Sequence, residues 1–141
     1  DFPLYSVGGL ILKNDSVAIV TQNDGHTQSF PKGHVKPGEV HIRGAFREIE
    51  EEIGVLKNEL RLIREIGTYS RNTQTGIGIE DITRPKLIRL WQFETDFEGK
   101  LTPRDVENPS ARWIHVDKVH QELLHPKDID FYLRQRELGY F

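Results

Sequence analysis

Residues Gly33 to Val55 read GHVKPGEVHIRGAFREIEEEIGV. Within this stretch Ala45, Ile49 and Ile53 recur at i, i+4 and i+8, and Phe46 widens the stripe to the breadth of a core-facing helix. Gly54 falls where a left-handed residue ends a helix, and Pro37-Gly38 reads as a turn before its start. On the other side Glu48, Glu51 and Glu52 sit at i, i+3 and i+4, so three carboxylates share one helical face. A glutamate run on a helix is ordinarily a solvated surface. Like charges at this spacing repel, at about 0.2–0.5 kcal/mol per pair. A sequence that accumulates them has a use for a hard cation, and oxygen-only ligands favour magnesium, with manganese as the alternative, over zinc or copper.

Composition sets the frame around that helix. A chain of 141 residues, 36% hydrophobic and 29% charged, fits one soluble domain with a core of its own, so residues 1–141 are expected to form a single domain. No apolar run reaches the length of a membrane span and no leader pattern opens the chain. The absence of Met suggests a processed or trimmed N-terminus. The absence of Cys excludes disulfides, thiolate metal sites and cysteine nucleophiles and fits the cytoplasm. A net charge of −3 gives no general attraction to nucleic acid or to an anionic membrane. An anionic substrate must therefore be drawn by a local basic patch or by a bound metal.

Tyr5 to Leu12, Ser16 to Thr21, Leu60 to Tyr69, Leu87 to Phe93 and Ala111 to His115 read as strands. Gln22 to Ser29, Ser70 to Pro85 and Asp96 to Ser110 read as polar loops. Asp117 is placed to cap a helix from Lys118 to Leu124, and Pro126 opens a terminal helix to about Leu138. Strands interrupted by one helix and closed by another predict a sheet covered on both faces.

The stretch also fits G-x5-E-x7-R-E-U-x-E-E-x-G-U, with U aliphatic, at every fixed position. Seven identities would coincide by chance on the order of 10⁻⁸ per register, and on them the chain resembles the Nudix hydrolases. The lead-in PKGHVKPGE, the basic opening of the strand at Arg84-Pro85-Lys86 and the run NPSARWIHVD from Asn108 to Asp117 resemble the subgroup that cleaves diadenosine polyphosphates. This resemblance implies a Nudix-type α/β/α sandwich with a mixed β-sheet, a signature loop-helix-loop and a C-terminal helix. It implies magnesium-dependent hydrolysis of a phosphoanhydride bond in dinucleoside polyphosphates such as diadenosine tetraphosphate. In that reading Glu48, Glu51 and Glu52 ligate the metal, with Glu39 and the Gly33 carbonyl as further oxygens, and Arg47 orients one glutamate. The acid that takes the proton from water is Glu48 or Glu52, with Glu107 as the alternative.

Lys32 and Lys86 stand where compact positive charges would hold phosphates, His34 flanks the acids, and Tyr69 is the nearest counterpart of a tyrosine that contacts base or phosphate. Tyr69, Trp91, Trp113 and Tyr132 are candidate stacking partners for a base, although residues of this kind are more often core. His115, His120 and His125 are spaced by five, not at the metal-binding i, i+4, and read as structural or exposed. Other substrates in the same class are modified nucleoside triphosphates, inositol pyrophosphates and RNA 5′ ends, although acidic balance disfavours long RNA. From another class comes a nucleotide-binding regulator without turnover, which predicts a damaged signature. The expected partner is a small nucleotide and the expected state a monomer.

Overall fold

The computed structural model describes residues 4–74, 79–104 and 110–141. Seven strands and three α-helices follow in the order β1 (Leu4–Lys13), β2 (Ser16–Gln22), β3 (Thr27–Ser29), β4 (Lys32–His34), α1 (His41–Ile53), β5 (Leu60–Gln74), β6 (Glu80–Thr95), β7 (Ser110–His115), α2 (Val119–Glu122) and α3 (Pro126–Glu137). The main sheet runs β3-β2-β1-β6-β5, with β4 added to β1 and β7 to β2. It is mixed: β1 and β6 run parallel, Leu4 beside Lys86 through Leu12 beside Glu94, and the remaining pairs are antiparallel.

Two-residue periodicity divides the strand side chains between two cores. Val7, Ile11, Ala18, Val20, Trp91 and Phe93 meet Ala45, Ile49 and Ile53 of α1 on one face. Leu10, Leu12, Val17, Ile19, Ile88 and Leu90 meet Val119, Leu123 and Tyr132 on the other. The expected sandwich is therefore present. Burying each such Ile or Leu is worth about 1.5–3 kcal/mol, so α1 is anchored by its apolar stripe. Phe46 completes that stripe, edge-on to Phe93 with ring centroids 5.3 Å apart. Gly54 ends the helix at φ 75°, a conformation that penalises any side chain. Among the candidate stacking partners, Trp91 and Tyr132 are core residues and Trp113 packs against the α1-side core.

Three local expectations are corrected. Ser70 to Pro85 is not a loop, because β5 continues to Gln74 and β6 begins at Glu80. The polar residues of this hairpin pair with each other, Arg71 with Lys86 and Thr73 with Asp81, and satisfy their backbone in a ladder that needs no apolar face. Gly76 and Gly78 lie outside the described residues. The second correction concerns Gln22 to Ser29, which holds a single 3-10 turn at Asn23–Gly25 and the edge strand β3. The third is that Asp117 caps nothing: α2 is a single turn starting after Lys118, and the Asp117 carboxylate instead accepts from Arg136 at 2.8 Å. The terminal helix runs as expected, with Pro126 in its first turn.

Candidate active site

A cleft of about 530 Å³ opens where β1 exchanges partners, β2 pairing with its C-terminal end and β4 with its N-terminal end. Helix α1 forms one wall. Glu48 and Glu52 lie on the flank of the apolar stripe and are 9% and 4% exposed, whereas the Glu51 side chain is 43% exposed. The acids thus face the cleft, as the helical spacing implied. Gly33 on β4 packs against the Glu48 carboxylate, which would have to shift if a side chain stood there. Burial pushes the Glu48 carboxyl up from its ordinary value, because the Arg47 hydrogen bond compensates the lost hydration only in part.

Arg47 organises the acids. Its Nε and Nη2 donate to the two oxygens of Glu39 at 2.8 Å each, and its Nη1 donates to Glu48 Oε1 at 2.7 Å and Glu51 Oε1 at 3.3 Å. Nη2 also donates to the His34 carbonyl at 3.0 Å. The hydrogen bond from Arg47 holds the Glu39 carboxyl down to about 2. Glu39 additionally closes the Pro37-Gly38 turn by accepting from Lys36 N at 3.0 Å. Glu52 is steadied separately by Gln22 Nε2 at 2.7 Å. Among the described residues no three acid or imidazole groups are gathered into a ready-made metal site, and Arg47 holds three of the carboxylates. The donor set still suits a hard divalent ion: it is all oxygen, and one buried acid, Glu48, is left short of compensating charge.

The opposite wall is basic. Lys32 on β4, Arg71 on β5 and Lys86 on β6 line the cleft together with His34 and His125. Lys32 Nζ donates to Ser29 Oγ at 2.9 Å. Burial, reinforced by Arg71, lowers its ammonium to about 8, and burial, reinforced by Lys32, lowers that of Lys86 to about 7. Two ammonium groups held this far below their ordinary value gain strongly from an anion beside them.

The structure therefore brings Lys32, Gly33, His34, Arg47, Glu48, Glu51, Glu52 and Lys86 to one cleft, with Glu39 attached through Arg47. It places Tyr69 elsewhere. The Tyr69 hydroxyl donates to Asp128 Oδ1 at 2.6 Å and its ring stacks on Phe131, 4.4 Å away, in a separate hollow between β5 and α3. Glu107 lies outside the described residues. Sequence reasoning missed Arg71, Gln22 and His125. Arg71 sat in the stretch read as a loop, and Gln22 opened another. The imidazole of His125, read as structural, does accept from Lys127 N at 3.0 Å as the cap of α3, but it also borders the cleft. No local spacing marked any of the three.

The NUDIX domain model matches residues 3–135, and the chain belongs to this family. Among characterised relatives, the asymmetrical bis(5′-nucleosyl)-tetraphosphatase of Sus scrofa is 32% identical over 120 residues, covering 79% of this chain and 75% of its own. An RNA pyrophosphohydrolase of Legionella pneumophila is 26% identical over 127 residues, covering 82% and 72%. The fold is similar to that of a C. elegans Ap4A hydrolase binary complex, with TM-score 0.79 and 18% identity over 98% of this chain and 99% of that one. It is also similar to the NUDIX domain of Shewanella oneidensis NrtR complexed with ADP ribose, with TM-score 0.74 and 14% identity over 98% and 89%.

Proposed function

We propose that the chain hydrolyses a phosphoanhydride bond of dinucleoside polyphosphates, splitting diadenosine tetraphosphate to ATP and AMP with magnesium, or manganese in its place, as cofactor. One observation carries this reading: a single cleft sets the acids of α1 against three cations, half-buried Lys32 and buried Arg71 and Lys86. The relatives named as tetraphosphatases support the choice of substrate.

Glu48, Glu51 and Glu52 would hold the divalent ion, with Glu39 and the Gly33 carbonyl as further oxygens. When bound, such an ion neutralises phosphate charge and lowers the pKa of a coordinated water. The protein supplies the rest. Arg47 keeps Glu39, Glu48 and Glu51 together on one side of the cleft. Glu52 or Glu48, with Glu107 as the alternative, accepts a proton from the attacking water; Glu52 is already oriented by Gln22. The new bond joins that water oxygen to phosphorus, the bridging P–O bond breaks, and the electron pair leaves on the departing phosphate. Lys32 and Lys86 meet the charge that gathers on the phosphate chain, and partly withdrawn from water they are worth more than on an open surface. His34 borders the same chain. Residues 1–141 work in this account as one domain, a monomer acting on a small nucleotide in the cytoplasm. Among the described residues no helix is long and apolar enough to cross a membrane.

The test is a panel of dinucleoside polyphosphates, nucleoside triphosphates, ADP-ribose and 5′-triphosphorylated RNA with magnesium, with products identified. Asymmetric splitting of the dinucleoside tetraphosphate is the expected outcome. Preference for the RNA 5′ end, the activity for which the Legionella relatives are named, would replace it.

A further inference from the structure

Behind the basic wall lies a buried carboxylate that the mechanism above leaves unused. Asp128, in the first turn of α3, is 0% exposed and accepts from Ser29 Oγ at 2.8 Å, the Tyr69 hydroxyl at 2.6 Å and Arg71 Nη1 at 2.6 Å. Burial pushes its carboxyl up, but Lys32 and Arg71 outweigh burial and hold it ionised. Ser29 also accepts from Lys32, so Asp128 is tied to two of the three cleft cations, one directly and one through a hydroxyl. Three cations face this one carboxylate, and the wall is left positive.

Of the three, Arg71 carries a fully enclosed donor without an acceptor. Its side chain is 6% exposed and lines the cleft. Among the described residues its hydrogen bonding consists of the single Nη1 contact to Asp128, and its Nε is buried with no acceptor. Buried donors are rarely left in that state. With Nη1 engaged from behind and Nε enclosed, Nη2 is the N–H of the fork left toward the cleft. A charged N–H of this kind suits a phosphate oxygen.

We infer that Arg71 is a further phosphate-binding residue of the cleft and that Asp128 is its positioning residue. The ligand is the part of a polyphosphate chain lying against β5 and β6, away from the acids of α1. The inference rests on reading the cleft as a polyphosphate site, and it extends that reading to residues joined only by the fold.

Calorimetric titration of the full chain with inorganic tripolyphosphate, in chelator so that no metal takes part, tests it without requiring turnover. The wild type is expected to bind and Arg71→Gln to bind at least about tenfold more weakly, the worth of one charge-assisted contact. Arg71→Lys, which keeps the charge and loses the fork, should fall between. Asp128→Asn makes the wall more positive, so simple Coulomb attraction would tighten binding; a positioning role makes it weaker. Where circular dichroism shows that Arg71→Gln does not fold, Arg71→Met/Asp128→Asn removes both charges while Asn keeps an acceptor for Tyr69 and Ser29, and the same loss is expected. Unchanged binding by the folded Arg71 variant, tighter binding by Asp128→Asn, or no binding by the wild type would overturn the inference. A wild type that binds tripolyphosphate yet splits no dinucleoside polyphosphate would sink the proposed reaction and leave this inference standing.

Discussion

The two walls of the cleft are built in opposite ways. The acid wall is one continuous segment: Glu39, Arg47, Glu48, Glu51 and Glu52 come from the turn before α1 and from α1 itself, and helical geometry alone brings them together. The basic wall is assembled from β4, β5 and β6, and α3 supplies the carboxylate behind it. Local geometry can be read from spacing, whereas a wall drawn from four elements exists only once the sheet has formed. The acid wall is laced together by Arg47, which offsets only part of its negative charge and leaves an excess that a cation would meet. The basic wall keeps an excess of charge and has a use for an anion.

The sharpest way to break this contrast is at the acid wall. Glu52→Gln preserves size and the bond to Gln22, and is expected to lower kcat by between about 10² and 10⁴, the range for loss of a general base, with an unchanged circular dichroism spectrum. Near-wild-type turnover would remove Glu52 from the chemistry and leave Glu48 or Glu107 to carry it. A smaller effect is expected at the basic wall. Lys86→Ala should raise KM for tetraphosphate-linked substrates about tenfold and spare diphosphate-linked ones; equal losses on both would detach Lys86 from the distal phosphates.

These two substitutions also mark what was legible in the sequence. The Gly33–Val55 stretch yielded a helix, its buried face, its glycine stop and the acids beside it, because each depends on residues within two or three turns. The order of the elements, strands interrupted by one helix and closed by another, yielded a sheet covered on both faces. Arg71 was hidden because a polar hairpin satisfies its backbone in its own ladder and leaves no apolar period to detect. Asp128 was hidden because an acid after Pro126 looks like an ordinary first-turn residue, and its three donors come from positions 29, 69 and 71. The hold of Arg47 on three acids could not be read either: helical spacing brings Arg47 near Glu51, but Glu39 reaches it only through the fold of the preceding turn.

The charge excess has its own pH signature. Burial, reinforced by Lys32 and Arg71, lowers the Lys86 ammonium to about 7 in the folded chain, from its ordinary value of 10.5. Between those values the unfolded chain binds the proton and the folded chain does not, so stability rises with pH across that window and the penalty is complete below about 7. The thermal midpoint of the ligand-free protein should therefore climb by several degrees from neutral to alkaline pH. Lys86→Met should flatten the climb; an identical slope in the variant would show that the lysine is not the cause. Least affected should be Tyr69→Phe. Its hydroxyl is one of three donors to Asp128, so its removal should cost about 1 kcal/mol of stability in urea denaturation and leave KM nearly unchanged. A large rise in KM would return Tyr69 to the substrate.

On the proposed reading the α1 acids, oriented by Arg47, hold a divalent ion when phosphates occupy the basic wall. Manganese binding followed by electron paramagnetic resonance, with a non-hydrolysable dinucleoside tetraphosphate present, tests this in wild type and in Glu48→Gln/Glu52→Gln. The account expects a bound ion in the wild type and none at the same concentration in the folded double variant. Equal binding in both, or no bound ion in the wild type, would contradict it.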